Sequence, residues 1–269
     1  MNQARTMTSQ RFPAWRPALC ALIAAAALTG CRTAGNAATP TIETTGTGPA
    51  VTAWVTTGDK TRLLAREAAG RFGGAAAASQ LIEVDATQRF QTMAGFGASI
   101  TDASAWLMRN RLGDAQREAL LQELFGRGEG GLGMDFTRLT IGASDFSRSH
   151  YSLNDRPAGQ TDLPLAHFSI EPNRADVLPV VQRARAINPQ LSVMASPWSA
   201  PAWMKQNDSL IKGALRPDMH GVFADYLVRY VQAYAAEGVP IFALTLQNEP
   251  HFEPGDYPGM RLDPAARAA

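Results

Sequence analysis

The sequence predicts an α/β domain built on a parallel sheet, and two patterns carry that prediction. From Phe136 onward, strand-like runs (136–141, 191–195 and 241–246) alternate with helix-like runs (174–187 and 220–237). Such alternation argues for parallel strands joined by right-handed crossovers. The last strand-like run, Pro240-Ile241-Phe242-Ala243-Leu244, is apolar at successive residues, as a strand buried on both faces is. Thr245-Leu246-Gln247-Asn248-Glu249-Pro250 follows at once and sets a carboxylate where a buried strand leaves the core. In parallel α/β domains, chemistry is placed at that end.

Taken from its start, the chain has 269 residues, 45% of them hydrophobic, and a net charge of +1. That balance suits a globular protein and gives no electrostatic reason to expect nucleic acid as a partner. Arg5, Arg11 and Arg16 precede an apolar stretch over 18–28, too short to span a bilayer and long enough for the apolar segment of an export signal. It ends in Leu28-Thr29-Gly30-Cys31, which resembles the cleavage box of bacterial lipoproteins. On that reading residues 1–30 are a signal peptide and Cys31 is acylated, giving an exported protein anchored by lipid at the periplasmic face or cell surface. An ordinary secretory signal is the alternative. The two cysteines are Cys20 and Cys31, so cleavage leaves no pair to cross-link and the core must stand without disulfides. Residues 31–50, dominated by Thr, Gly, Ala, Asn and Pro, read as a flexible tether.

Residues 51–90 hold two strand-like patterns, Val51-Thr52-Ala53-Trp54-Val55 and Gln80-Leu81-Ile82-Glu83-Val84-Asp85, separated by an Ala/Gly stretch. They are expected to form sheet outside the main domain. Residues 102–112 and 114–125 read as helices, the second with Asp114 as its N-cap and Leu120, Leu121, Leu124 and Phe125 as its apolar side. The glycine-rich stretch 127–133 lacks the Lys-Ser/Thr ending of a phosphate-binding loop and is expected to be a turn. Val177, Val180, Val181, Ala184 and Ile187 recur at helical spacing until Asn188-Pro189 ends the run. Phe223, Leu227, Tyr230, Val231 and Tyr234 give the next helix its apolar face, with Gly238 as its cap. Asp263-Pro264 opens a helix that stops after little more than one turn, too short to persist alone, so the chain is expected to be the first part of a longer domain.

Four strand exits carry polar or aromatic groups: Gly95-Phe96-Gly97-Ala98-Ser99-Ile100-Thr101-Asp102, Arg138 with Asp145, Ser196-Pro197-Trp198, and Asn248-Glu249. Together they are expected to outline one pocket. Taken singly, Glu249 could be a surface residue starting a loop, Trp198 a core filler and Asp102 a helix N-cap. In order, the segments GFG-x-x-x-TDA, ASPW-x-x-P-x-W and NEP resemble glycoside hydrolase family 30, the glucosylceramidase-like family, over residues 81–262.

The resemblance implies a (β/α)8 TIM barrel, of which about the first four strand-helix units fall in residues 91–269, with residues 51–90 as N-terminal strands of an accessory β-sandwich. It implies retaining hydrolysis of β-glycosides with Glu249 as general acid/base and the nucleophilic Glu beyond residue 269. Asn248 would hydrogen-bond a sugar 2-hydroxyl, Trp198 would offer a flat apolar face to a sugar ring, and Asp102 would accept hydrogen bonds from sugar hydroxyls. Arg138, inside a barrel strand, would position a carboxylate, with Asp145 beside it. Phe96, Trp203 and Tyr257 are expected as wall and packing groups.

No cofactor is expected, and His150, His167, His220 and His251 show no metal-ligand spacing, so no metal is expected either. The leading expectation is a glucosylceramidase-like β-glucosidase, with an endo-β-1,6-glucanase of the same family as its rival. Partners follow from these expectations: a glycolipid or β-glucan substrate, and a membrane reached through the lipid on Cys31. Oligomeric state is left open. A non-catalytic glycan-binding chain is the alternative from another class, and a barrel enzyme for phosphorylated substrates is the weakest.

Overall fold

A computed structural model of the chain describes residues 47–73 and 84–264. The expectations on the signal peptide, on Cys20 and Cys31, on most of the tether, on Gln80 to Glu83 and on residues 265–269 lie outside them. The chain divides into two units, residues 1–87 and 88–269.

In the first unit β1 (Ala50–Val51) pairs antiparallel with β4 (Gly70–Arg71), and β2 (Trp54–Val55) pairs antiparallel with β3 (Ala65–Arg66). The two ladders nest, one pair inside the other. Asp59 Oδ1 organises the turn between β2 and β3, accepting from Thr57 Oγ1, Thr61 Oγ1 and the Thr61 amide. Strand begins at Ala50, the last residue assigned to the tether. Val84 and Asp85, read as the end of a strand, are in none.

The second unit holds a four-stranded parallel sheet of β5 (Gly97–Ser99), β6 (Phe136–Ile141), β7 (Ser192–Pro197) and β8 (Ala243–Leu244), in that order. Between the strands run α1 (Asp102–Asn110), α2 (Asp114–Phe125), the single turn α3 (Glu171–Arg174), α4 (Val177–Ile187) and α5 (His220–Ala236). Leu139, Val193 and Ala195 join one core cluster with Leu121, Val181, Ala184, Tyr230 and Tyr234 from the helices. The alternate strand residues Phe136, Arg138, Ser192 and Met194 are only half-buried. Parallel order and one helical layer are those of a partial (β/α) barrel.

Several boundaries differ from the sequence reading, for local reasons. The N-cap of α1 is Thr101, whose hydroxyl accepts from the Ser104 amide while Ser104 Oγ accepts from the Thr101 amide, and Asp102 is the first helical residue. Gly113, not Asp114, caps α2: Gln116 Oε1 accepts its amide, and Asp114 pairs with Arg117 instead. The helix expected over 174–187 is interrupted before Val177, because Asp176 leaves helical geometry with its carboxylate held by Asn110 and Arg148. Register with β6 carries β7 two residues beyond Ala195, to Pro197 opposite Ile141. The strand of β8 is limited to Ala243–Leu244, the residues paired with Met194 and Ala195. α5 ends as its sequence suggests: Gly238, at φ +76°, donates to Ala235 O while Val239 N donates to Tyr234 O.

Candidate active site

Alternation along β6 turns Arg138 away from the helical layer. Its guanidinium lies 4.8 Å from the centroid of the Trp198 ring, and one terminal nitrogen donates to Asn248 Oδ1 at 2.9 Å. Burial lowers the Arg138 pKa, opposed by the fields of Asp145 and Glu249. The arginine was expected to hold a carboxylate. It holds an amide oxygen instead, and the two carboxylates act on it through their fields.

That bond fixes the chemistry of Asn248. A guanidinium only donates, so it must take the amide oxygen, which leaves the Nδ2 group as the donor available to a ligand. The Asn248 main chain is tied as well, its amide donating to Pro197 O at 2.8 Å. Glu249 follows with an exposed side chain and φ +47°. Left-handed backbone costs a non-glycine residue about 1–3 kcal/mol and persists only where neighbours over-determine it. Here they do: Glu249 O accepts from Phe252 N, and Pro250 O from Leu262 N, both at 2.9 Å.

Trp198 is only 9% exposed and lends ring surface to Arg138, so less of its face is open than the sequence reading assumed. Asp102 differs more. It is 3% exposed, and Oδ1 accepts from both the amide and Nε of Arg148 at 3.0 Å. Its Oδ2 accepts a longer bond, 3.4 Å, from Arg148. With the bond from Ala103 N to Phe146 O, this pair fastens the loop carrying Asp145 to the start of α1.

The structure therefore brings Arg138, Trp198 and Asn248 into contact, with Asp145 and Glu249 within electrostatic reach, and gives Asp102 an internal partner. Tyr257 belongs to the same neighbourhood: its pKa is raised by burial and then by Asp145, Glu249 and Asp256. Arg148 and Gln247 were not read from the sequence as site residues. For Gln247, adjacency to Asn248-Glu249 was the available signal. For Arg148, a cation after a polar cluster, there was none. Among the described residues no group of three or more His, Cys, Asp or Glu is placed to hold a metal ion, and no helix is long and apolar enough to cross a membrane.

A family model described as the glycosyl hydrolase family 30 TIM-barrel domain matches residues 93–258. An endo-1,6-beta-D-glucanase of Neurospora crassa is 38% identical over 166 residues, 60% of this chain and 34% of that protein. The lysosomal acid glucosylceramidase of Mus musculus is 30% identical over 177 residues, 63% of this chain and 33% of that protein. The chain thus spans about a third of the length of these curated relatives. Among solved structures, an endo-β1,6-glucanase superposes with a TM-score of 0.66 at 32% identity, covering 81% of this chain and 47% of that one.

Proposed function

The chain belongs to glycosyl hydrolase family 30, and from that premise we propose that the protein cleaves β-glucosidic bonds with retention, Glu249 acting as general acid and then as general base. One observation carries the proposal: Arg138 fixes the Asn248 amide so that a donor stands beside a carboxyl group held at the exit of β8. Glu249 protonates the leaving oxygen as the bond to the anomeric carbon breaks, while a second carboxylate attacks that carbon; Glu249 then takes a proton from the water that releases the sugar. Asn248 Nδ2 donates to the 2-hydroxyl, an interaction that strengthens as charge develops on the ring. Asp102 Oδ2 and the uncovered part of Trp198 hold the same sugar. The attacking carboxylate is proposed to lie in the part of the fold that the relatives have and this chain does not span.

For the substrate we propose a β-glucoside of the glucosylceramide kind, met by a protein held at a membrane through acylation of Cys31. Cleavage of β-1,6-glucan is the second reading, favoured by the 38% identity to an endo-1,6-glucanase. Mass spectrometry of the N-terminal peptide tests the acyl group; an unmodified Cys31 refutes the anchor. For the activity, the protein encoded by the complete reading frame should release glucose from glucosylceramide, or oligosaccharides from β-1,6-glucan, with the β-anomer appearing first by NMR. Glu249→Gln should lower kcat on aryl glucosides with poor leaving groups by about 100-fold or more. Unchanged turnover in that variant refutes the assignment, and retained β-glucan binding without any turnover puts the non-catalytic reading in its place.

A further inference from the structure

Two buried polar side chains next to the site have no part in the proton transfer. Lys205 is 2% exposed, and its Nζ donates to Ser199 Oγ at 2.9 Å, Leu210 O at 3.0 Å and Gly259 O at 2.8 Å. Gln247 is 7% exposed, and its Nε2 donates to Trp198 O at 2.9 Å and Met260 O at 2.7 Å. All of these acceptors lie on three segments: the exit of β7, the loop after Lys205, and the return limb of the loop that starts at Glu249.

The bonds run in sequence. Pro197 O takes the Asn248 amide, Trp198 O takes Gln247, Ser199 Oγ takes Lys205, and the Ala200 amide lies 3.4 Å from Met260 Sδ. On the return limb Lys205 holds Gly259, Gln247 holds Met260, and Leu262 N holds Pro250 O. Glu249 therefore sits at the start of a loop whose far end is tied to Lys205, Gln247 and Pro250. Gln247 Oε1 is buried without a hydrogen-bond partner, so the side chain is oriented by its two donations alone. A lysine taken this far from water is costly, and each of its three donors finds an acceptor here.

We propose that Lys205 and Gln247 are positioning residues for Glu249, clamping residues 259–260 to the exit of β7 so that the acid/base holds its left-handed backbone. The proposal rests on the reading of Glu249 as proton donor, and its test separates the two. Amide hydrogen exchange in Lys205→Met, and in Gln247→Met alone if Lys205→Met does not fold, should accelerate at Asn248 and Leu262 by about tenfold and leave α5 unchanged. Unchanged protection at those two amides overturns the clamp.

The functional arm compares glucosides whose leaving groups need protonation with 2,4-dinitrophenyl glucoside, whose leaving group does not. In the protein encoded by the complete reading frame, both variants should lose about tenfold or more of kcat/KM on the former and less than about threefold on the latter, because kcat/KM reports the first step, in which an acid held out of place fails only where the leaving group needs a proton. Equal losses on both substrates would show a merely structural role and overturn the positioning. Glu249→Ala is the reference. If it too shows no dependence on leaving group, the assignment of Glu249 has failed; if it shows the dependence and the clamp variants do not, only the positioning has.

Discussion

Replacing Lys205 by Met should change how stability depends on pH, by an amount that follows from burial. Burial pushes the Lys205 amine from its ordinary 10.5 down to about 7, against a weaker opposing field from Glu253. Below pH 7 both the folded and the unfolded chain carry the proton, and the full cost of the buried charge is present. Between about 7 and 10.5 the unfolded chain holds a proton that the folded one has released, so stability rises with pH, by about 1.4 kcal/mol per unit at most. Integrated from pH 7.5 to 9.5, the rise is about 2.5 kcal/mol.

The upper limit of that window is set by tyrosines. Burial raises Tyr151, Tyr226, Tyr230 and Tyr234, so each keeps its proton in the fold while the unfolded chain releases it above about pH 10, and stability falls there. Wild type and variant share that term, and their difference isolates Lys205. Urea unfolding followed by circular dichroism at half-unit steps should show the wild type gaining about 2.5 kcal/mol on Lys205→Met across the window. A difference flat to within about 0.5 kcal/mol refutes the reasoning, and would mean that the three acceptors around Nζ hold the proton against burial.

Three further outcomes follow from the geometry. Gly97→Ala places a Cβ 1.5 Å from Phe136 O, across the β5–β6 ladder; no side chain can yield there, so loss of about 3 kcal/mol or more, or no soluble protein, is expected from urea titration or expression. Gly238→Ala meets no atom within 4 Å, so its cost is backbone alone, about 1 kcal/mol, and Gly238→Asn should recover part of it in the same titration. Arg138→Lys keeps the charge but loses the planar group that lies over Trp198 and donates to Asn248, so kcat on aryl glucosides should fall about tenfold or more; unchanged kcat would show that Asn248 needs no orienting partner.

The sheet was legible because its signals are local. β6 reads from six residues without a break, and the end of α5 from a glycine whose left-handed backbone suits that position. The break before α4 was not, since Asp176 leaves the helix for Asn110 and Arg148, partners far away in sequence. Glu249, Asn248 and Trp198 were legible as a motif, whereas the side-chain partners that orient them were not. That Arg138 would take the Asn248 amide and not a carboxylate depends on a distance across the sheet. Lys205 follows Trp203-Met204 with no local signal of its own; only the folded loops bring three acceptors around it.

Left-handed backbone alone does not mark the site, since Lys60, Leu64, Leu165, Asp208 and Lys212 share it with Glu249. On the proposed role of Glu249, the conjunction does. A strained acidic residue, a buried lysine and a buried amide with an unpartnered oxygen meet within one strap between the exits of β7 and β8. Each is unfavourable by itself, and a sequence under selection for stability alone would replace all three. Removing the lysine or the glutamine, however, would loosen the return limb at Gly259 or Met260, although the amides of Gly259, Arg261 and Leu262 keep their own bonds to Leu210 O, Gly213 O and Pro250 O, so the three are coupled through the strap. Local costs concentrated around one carboxylate are what placement of a proton donor requires, and they argue for the proposed role of Glu249 independently of the Asn248-Glu249-Pro250 motif.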